Sequence, residues 1–360
     1  MKKHLMKTTS IFCAAAFSLL VAAGCKKDKS TTITPAGPKP AWGQTIKPEM
    51  QVVIEKLTSF GDTPLPQLTA VQARKNHTAT DAVMAVMNDY HIAAPVFNVD
   101  TVGKEIPVTG STVHVRIYTP KNTTGNLPVI VYYHGGGFVI ANIDVYDTSA
   151  KLLSANTGAI VVSVAYRLAP ENKFPTAHND AFDAYKWVAQ NAASIRGDVN
   201  KLALAGESAG GNLAVATAIK ARDQGVKAPV AILSIYPIAG ADTNTESYLK
   251  YAAAKPLDKP SLLWFTANYT NTPAEAMDPR LNLLAANLTG LAPVTIINAE
   301  LDPLQTEGGQ LADKLKTAGV SVERKVYIGV THEFFGMGAV VPDAKDAENY
   351  AVARLKTAFQ

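Results

Sequence analysis

Cysteine is nearly absent from this chain of 360 residues. The only two cysteines are Cys13 and Cys25, both near the amino terminus, so the residues that follow can form no disulfide bond among themselves. A domain of about 300 residues without disulfides must be stabilised by its packed core. The hydrophobic content of 47% is sufficient for such a core and excludes disorder over most of the chain.

Strong charge of either sign is also lacking. The formal net charge is +4, from 34 basic and 30 acidic residues, and there is no dense Lys/Arg stripe with interleaved aromatic residues. Proteins that bind nucleic acid usually carry such a stripe, which neutralises the phosphates. The sequence therefore predicts no nucleic-acid partner.

The apolar stretch near the start is too short to span a membrane comfortably. It runs from Ile11 to Ala23 and follows Lys2, Lys3 and Lys7, which is the pattern of a secretory signal. Because such a segment is removed on export, we expect residues 1–24 to be a signal peptide.

The end of this stretch, Ala22-Ala23-Gly24-Cys25, resembles the lipobox of bacterial lipoproteins. The resemblance implies cleavage before Cys25, lipidation of that cysteine, and a protein anchored at the periplasmic face or the cell surface by the lipid alone. It departs from the pattern at Ala22, where Leu or Val is usual, and the alternative is an ordinary signal peptide in which Cys25 is incidental. Residues 25–45, rich in Lys, Thr and Pro, are expected to form a flexible tether.

The next segment, residues 46–98, has a helical pattern. Apolar residues recur at spacings of three and four in Pro48 to Phe60 and in Thr69 to Tyr90, which predicts two or three short helices. From Val99 the period changes to two, and the alternation of Val113, Val115 and Ile117 with polar residues indicates an antiparallel strand at a sheet edge.

The remainder, within residues 99–360, alternates strands with helices. Six short apolar strands are predicted at Val129 to Tyr133, Ala159 to Ala165, Leu202 to Ala205, Ala231 to Tyr236, Val294 to Asn298 and Arg324 to Ile328. Helices are predicted at Thr176 to Ile195, Ala209 to Asp223, Gly309 to Ala318 and Ala344 to Phe359. This alternation predicts an α/β fold with a mostly parallel, doubly wound sheet covered by helices on both faces. The irregular interval of about 237–291 is expected to be a cap insertion.

The sharpest chemical signal is a serine turn, Gly206-Glu207-Ser208-Ala209-Gly210, between a predicted strand and a predicted helix. A serine exposed at such a turn leaves no space for side chains two residues before or after it, so glycine is needed there. The helix that follows directs its positive end and the N–H of Ala209 towards developing negative charge. The pattern therefore predicts Ser208 as a nucleophile.

A second glycine cluster, His134-Gly135-Gly136-Gly137, follows the first apolar strand. Consecutive glycines at a strand end allow backbone N–H groups to converge on a substrate oxygen. Alternatively, the glycines could form a turn that requires positive φ and has no role in binding. Because the serine turn is also present, we prefer the interpretation that the glycine cluster forms an oxyanion hole.

The serine needs a base, and the base needs an acid that orients it. Only one histidine, His332, follows Ser208, and it comes just after the last predicted strand. Several carboxylates lie between the two. We prefer Asp302, which follows a predicted strand and precedes Pro303, and Glu300 is its close rival.

Together these motifs resemble the hormone-sensitive-lipase-like esterases of the α/β-hydrolase fold. The resemblance runs from about residue 68 to the carboxyl terminus and rests on the glycine cluster with Phe138, Tyr166-Arg167-Leu168-Ala169-Pro170-Glu171 with Phe174-Pro175 and Asp180, the serine turn with Gly211, Asp302-Pro303-Leu304, and His332 with Phe334. It implies hydrolysis of short acyl esters, no cofactor, no metal, and a cap formed by the N-terminal helices and the insertion.

The resemblance also implies roles for single residues. Gly136, Gly137 and Ala209 would be the oxyanion donors, with Gly135 shaping the loop and His134 holding it. The segment Tyr166 to Asp180 would support the site; alternatively, Arg167 and Glu171 only pair with each other and cap a helix. Departures from the family pattern are Glu207 for Asp or Thr, Ala141 for Gly, and Glu333 for Gly.

Other functions remain open at this point. An amidase or peptidase would use the same three side chains, and a surface lipoprotein could bind a small ligand in an inherited hydrolase pocket. The sequence does not indicate an oligomeric state or a natural ester.

Overall fold

The computed structural model describes Met1 and residues 32–360. Except for Met1, the expected signal peptide and the expected lipidation site at Cys25 lie outside the described residues. Within the part that is described, no helix is long and apolar enough to cross a membrane.

The described strands form a single sheet. In chain order they are β1 (Val99–Val108), β2 (Ser111–Pro120), β3 (Leu127–Tyr133), β4 (Ile160–Val164), β5 (Gly197–Glu207), β6 (Ala231–Ile235), β7 (Val294–Leu301) and β8 (Val322–Thr331). Their order across the sheet is β1-β2-β4-β3-β5-β6-β7-β8. Strands β3 to β8 are parallel, and β2 is antiparallel to both β1 and β4. The predicted fold class is therefore confirmed.

Helices cover both faces of this sheet. They are α1 (Pro48–Ser59), α2 (Ala70–Ala73), α3 (Ala79–Asp89), α4 (Asp147–Thr157), α5 (Thr176–Asn191), α6 (Ala209–Asp223), α7 (Glu246–Lys250), α8 (Lys259–Tyr269), α9 (Gln305–Thr317) and α10 (Pro342–Ala358). The pattern did not predict α4, because its small and polar residues give only a weak apolar stripe.

The central strands are apolar on both faces because each face packs against helices. In β3, Val129, Val131 and Tyr133 enter the core beneath α5, α6 and α9, whereas Ile130 and Tyr132 enter the core beneath α1, α3, α4 and α10. All five side chains are fully buried. A continuous apolar run is the expected pattern of a strand covered on both sides.

The antiparallel edge differs from the prediction in one respect. The alternating strand is β2, with Val113, Val115 and Ile117 in the core, but β1 forms the edge and β2 lies inside it. Most of β1 is exposed, so it has little hydrophobic alternation for the sequence pattern to detect.

The expected tether is wrong for residues 33–45, which pack on the domain. Glu55 of α1 accepts hydrogen bonds from the backbone N–H groups of Ala36 (2.8 Å) and Gly37 (3.1 Å). Near the end of the segment, the Thr45 hydroxyl donates to Glu300 Oε2 at 2.9 Å. Composition alone suggested a linker, but side chains distant in sequence satisfy its backbone groups.

The 237–291 interval and the N-terminal helices approach each other beside the sheet. Trp264 Nε1 of α8 donates to the backbone oxygen of Leu68, which precedes α2, at 3.0 Å. The backbone oxygen of Tyr269, at the end of α8, accepts from the N–H of Phe174 at 2.8 Å. These contacts hold α8 between the N-terminal helices and the loop that precedes α5.

We expect Glu55→Gln to loosen residues 33–45, because an amide oxygen cannot replace both carboxylate oxygens as acceptors. Loss of one of these solvent-exposed hydrogen bonds should lower the free energy of unfolding by about 0.5–1.5 kcal/mol. Urea denaturation and limited proteolysis would measure the change. Glu49→Gln is the control, because Glu49 lies on the same helix and its side chain makes no hydrogen bond to the described residues. Equal protease resistance of segment 33–45 in both variants would contradict the assignment.

Candidate active site

The turn that carries Ser208 joins β5 directly to α6. Ser208 has φ 56° and ψ −117°, a conformation that costs energy for a residue with a side chain. A Cβ at Gly210 would lie 1.9 Å from the backbone oxygen of Tyr133, and one at Gly206 would lie 2.2 Å from the oxygen of Gly210. Only glycine fits at either position, and this close approach presents the serine side chain at the end of the sheet.

Ser208, His332 and Asp302 form one chain of hydrogen bonds. The Nε2 atom of His332 lies 2.9 Å from Ser208 Oγ, and its Nδ1 atom lies 2.7 Å from Asp302 Oδ2. The other Asp302 oxygen accepts from the N–H of Leu304 at 2.9 Å. All three side chains are buried, so water competes little for these bonds.

The charge of Asp302 sets the protonation of His332. Burial by itself lowers the pKa of the imidazole, but the adjacent Asp302 carboxylate and its hydrogen bond raise the pKa above the ordinary value, with smaller contributions from Glu333 and Glu207. The imidazole is therefore a stronger base than a free histidine.

The rival acid, Glu300, has different partners. Its Oε2 atom accepts from the Thr45 hydroxyl at 2.9 Å and from the N–H of Gly329 at 2.8 Å. Glu300 therefore links the amino-terminal segment to Gly329 near the end of β8 and does not contact the histidine.

The glycine cluster forms a tight loop after β3. Gly136 and Gly137 have φ values of 100° and 58° and line the cavity that contains Ser208. A Cβ on Gly136 would lie 2.2 Å from the oxygen of Ile140, and one on Gly137 would lie 2.3 Å from the ring of Phe265. Side chains are therefore excluded, and the backbone of this loop is accessible to a ligand.

Gly135 and Ala209, the other two residues of the expected oxyanion hole, lie in different environments. Gly135 lies against Tyr146, whose hydroxyl oxygen would be 2.3 Å from an added Cβ. Ala209 is fully buried as the first residue of α6, where backbone N–H groups have no partner within the helix. Gly135 thus shapes the loop, and the Ala209 N–H lies at the positive end of the helix that begins after the serine.

His134 is a buried structural residue. Its ring stacks on Tyr166 with 4.3 Å between centroids, and its Nδ1 atom lies 2.7 Å from the Gly135 oxygen. The Tyr166 hydroxyl donates to the His134 backbone oxygen at 2.8 Å. Burial lowers the pKa of His134 to about 4, so it is neutral and holds the glycine loop without carrying charge.

The pairing of Arg167 with Glu171 is wrong. Arg167 instead makes a bidentate ion pair with the fully buried Asp180, with Nη2 and Oδ1 at 2.6 Å. Glu171 pairs with Arg74 of the amino-terminal region at 2.7 Å. Arg74 also donates to the backbone oxygen of Ala169, so this pair joins the N-terminal helices to the catalytic part of the chain.

Glu207, beside the serine, is fully buried among tyrosines. Tyr132 Oη donates to Glu207 Oε1 at 2.5 Å, and Tyr236 Oη donates to Oε2. Burial raises the pKa of Glu207 to about 7 despite these bonds. The ring of Tyr236 also lies 4.6 Å from that of His332. Sequence reasoning missed both tyrosines, because their hydroxyl contacts depend on neighbouring strands.

A cavity of about 540 Å³ opens above Ser208 and His332. Part of its wall is apolar, from Leu168, Ile238, Leu257, Leu262 and Phe265. The N-terminal residues 57–79 and the 255–265 segment complete the wall. Among the described residues, no cluster of three or more His, Cys, Asp or Glu side chains could hold a metal ion.

Comparison with known proteins identifies relatives of the whole catalytic region. A family model described as alpha/beta hydrolase fold matches residues 130–336. Ethyl acetate hydrolase of Pseudomonas putida is 34% identical over 287 residues, which cover 79% of this chain and 88% of that protein. Carboxylesterase NlhH of Mycobacterium tuberculosis is 39% identical over 249 residues, covering 68% and 78% of the two chains.

A solved structure agrees with these matches. The thermostable esterase from Pseudomonas putida ECU1011 superposes with a TM-score of 0.81 at 31% identity, covering 89% of this chain and 99% of that one. The family match of residues 130–336 spans the part of the chain that contains Ser208, Asp302 and His332. The chain belongs to the hormone-sensitive-lipase-like family of α/β-hydrolase esterases.

Proposed function

We propose that this chain is a serine esterase that hydrolyses short-chain carboxylic esters through an acyl-enzyme intermediate. Its enzyme class, carboxylic-ester hydrolase, follows from its family. The main support for the acyl-enzyme mechanism is the hydrogen-bonded chain from Ser208 through His332 to Asp302, with bonds of 2.9 and 2.7 Å. This arrangement can activate a hydroxyl group for attack on a carbonyl carbon.

In the acylation step, Ser208 Oγ attacks the ester carbonyl carbon while His332 Nε2 accepts its proton. The charge of Asp302 stabilises the imidazolium that forms. The tetrahedral intermediate collapses, the bond to the alcohol oxygen breaks, and His332 returns the proton to the departing alcohol. The product of this step is Ser208 esterified by the acyl group.

The oxyanion of the tetrahedral intermediate needs fixed hydrogen-bond donors. The backbone N–H groups of Gly136 and Gly137, which line the cavity, and the helix-end N–H of Ala209 are the groups that we assign to this role. Each donor contributes about 10²- to 10³-fold to the rate of a serine hydrolase.

Deacylation repeats the sequence with water as the nucleophile. His332 takes a proton from water, the hydroxide attacks the acyl carbon, and the proton returns to Ser208 Oγ as the acid departs. We expect small esters with apolar acyl groups, because part of the cavity wall is apolar. The name of the relative ethyl acetate hydrolase supports the same size class of substrate.

We assign the role of a cap to residues 46–98 and 237–291, since both segments line the cavity.

We also propose export and lipid anchoring through Cys25, on the pattern of residues 1–25 alone. A lipid would hold the enzyme at a membrane surface, where a net charge of +4 or less provides little attraction of its own.

Ser208→Ala should reduce hydrolysis of p-nitrophenyl acetate and butyrate by about 10⁴-fold or more, because no other group can form the acyl-enzyme. Labelling by a fluorophosphonate probe should disappear while the circular dichroism spectrum remains unchanged. The rates of hydrolysis of a panel of matching amides would test whether the enzyme is an amidase instead. Substantial ester turnover by a folded Ser208→Ala variant would overturn the proposal.

Activity should fall as the pH decreases through a pKa above the ordinary imidazole value of about 6.5, because the base must be neutral and Asp302 raises the pKa of His332. Asp302→Asn removes that charge, so burial then lowers the pKa and the acid limb of kcat/KM should move to lower pH. The plateau should drop by about 10³- to 10⁴-fold. Glu300→Gln is the matched control and should keep the wild-type profile; a shifted limb in this control alone would identify Glu300 as the acid.

Cys25→Ser should abolish incorporation of labelled palmitate and release the protein from the membrane fraction. Cys13→Ser, within the expected signal core, is the control and should keep both. Palmitate labelling that survives Cys25→Ser would exclude this cysteine as the anchor.

A further inference from the structure

Glu333 follows the base His332 directly and lines the same cavity as Ser208. It is partly buried and has φ 64°, a backbone conformation that disfavours any residue with a side chain. Glu333 also lines a second cavity of about 200 Å³. A charged group in this position can contact whatever enters the site.

The charge of Glu333 has no cationic partner within ion-pair distance in the described part of the chain. Among the described residues, its hydrogen-bond partner is Tyr146, whose hydroxyl donates to Glu333 Oε1 at 3.0 Å. The other charged side chains of the cavity wall, apart from His332, have close partners: Arg74 pairs with Glu171, Lys255 pairs with Asp258, and the Asp62 carboxylate lies 3.1 Å from His77 Nδ1. Glu333 therefore gives the cavity an uncompensated negative charge next to the base.

The chemistry of the reaction indicates which part of an ester meets this charge. His332 must return its proton to the departing alcohol oxygen, so that oxygen lies within hydrogen-bond reach of the imidazole. Glu333 is the next residue along the chain. The apolar residues Leu168, Ile238, Leu257, Leu262 and Phe265 offer an acyl chain a surface without charge.

We propose that Glu333 is a specificity-determining residue that favours esters whose alcohol carries a positive charge and disfavours esters whose alcohol carries a negative one. The inference rests on the proposed esterase function and names the substrate class of that same site. A carboxylate without a cationic partner attracts a cation at short range and repels an anion. Sites that orient small ligands typically combine apolar walls with a few polar or charged groups.

A matched pair of substrates isolates the charge. Acetylcholine and 3,3-dimethylbutyl acetate share the acyl group and nearly the same shape, but only the first has a cationic alcohol. For the wild-type enzyme we expect kcat/KM for acetylcholine to exceed that for the neutral ester by about fivefold, the size of one partly exposed ion pair. In Glu333→Gln this ratio should fall to near one, and the penalty against 3-acetoxypropionate should shrink.

Asp144→Asn is the control variant. Asp144 is an exposed carboxylate outside the cavity wall that pairs with Arg116, so its loss changes the net charge equally and should leave the substrate ratio unchanged. The wild-type ratio should also decrease when sodium chloride is raised from low to high concentration, because salt screens the attraction. This measurement needs no variant and keeps the test valid if Glu333→Gln does not fold.

The outcomes separate the two proposals. A wild-type enzyme that hydrolyses neither p-nitrophenyl acetate nor the acetate pair would contradict the esterase function. An enzyme that hydrolyses p-nitrophenyl acetate but does not discriminate between the cationic and neutral acetates would overturn the role of Glu333 alone. The same conclusion would follow from a ratio that is equal in Glu333→Gln and the wild type.

Discussion

The close approach of β3 and the first turn of α6 is the constraint on which the rest of the site depends. At Gly210 the two backbones leave no space for a Cβ, and the chain between them must turn so sharply that Ser208 has positive φ. The fully buried strands on either side hold this turn in place, because packing in both cores opposes any relaxation. The position of the serine is thus a property of the sheet rather than of a loop.

Buried acidic groups surround this turn, and each is stabilised differently. Asp302 has two specific donors, the His332 ring and the Leu304 N–H, which offset the cost of burying its charge. Glu207 has two tyrosine hydroxyls, but burial still holds its pKa near 7, so it is only partly charged at neutral pH. The two carboxylates therefore have different surroundings: Asp302 is hydrogen-bonded to the His332 ring, and Glu207, beside the serine, accepts from Tyr132 and Tyr236.

The sequence predicted those parts of the site that depend on local backbone patterns. The serine turn, with its strand and helix, could be identified because steric limits require glycine at fixed spacings. The choice of Asp302 over Glu300 was harder, since both lie near the end of one strand and only their distant partners differ. The packed segment 33–45, the Arg167 ion pair with Asp180 and the Tyr146 contact with Glu333 could not be predicted. Each of these contacts joins elements that are far apart in sequence. No local sequence pattern indicates which distant elements lie next to each other in the fold.

The attachment of residues 45–50 to the last strands has a consequence for biogenesis. Thr45 bonds to Glu300, the Lys47 N–H donates to the Gly329 oxygen, and the Thr331 hydroxyl contacts Met50 Sδ. Residues 45–50 thus bind strands that are synthesised more than 250 residues later. Such non-local pairing forms slowly. The ends of β7 and β8, next to Asp302 and His332, acquire these contacts only after β8 has been synthesised, so a nascent or truncated chain without β8 would lack them.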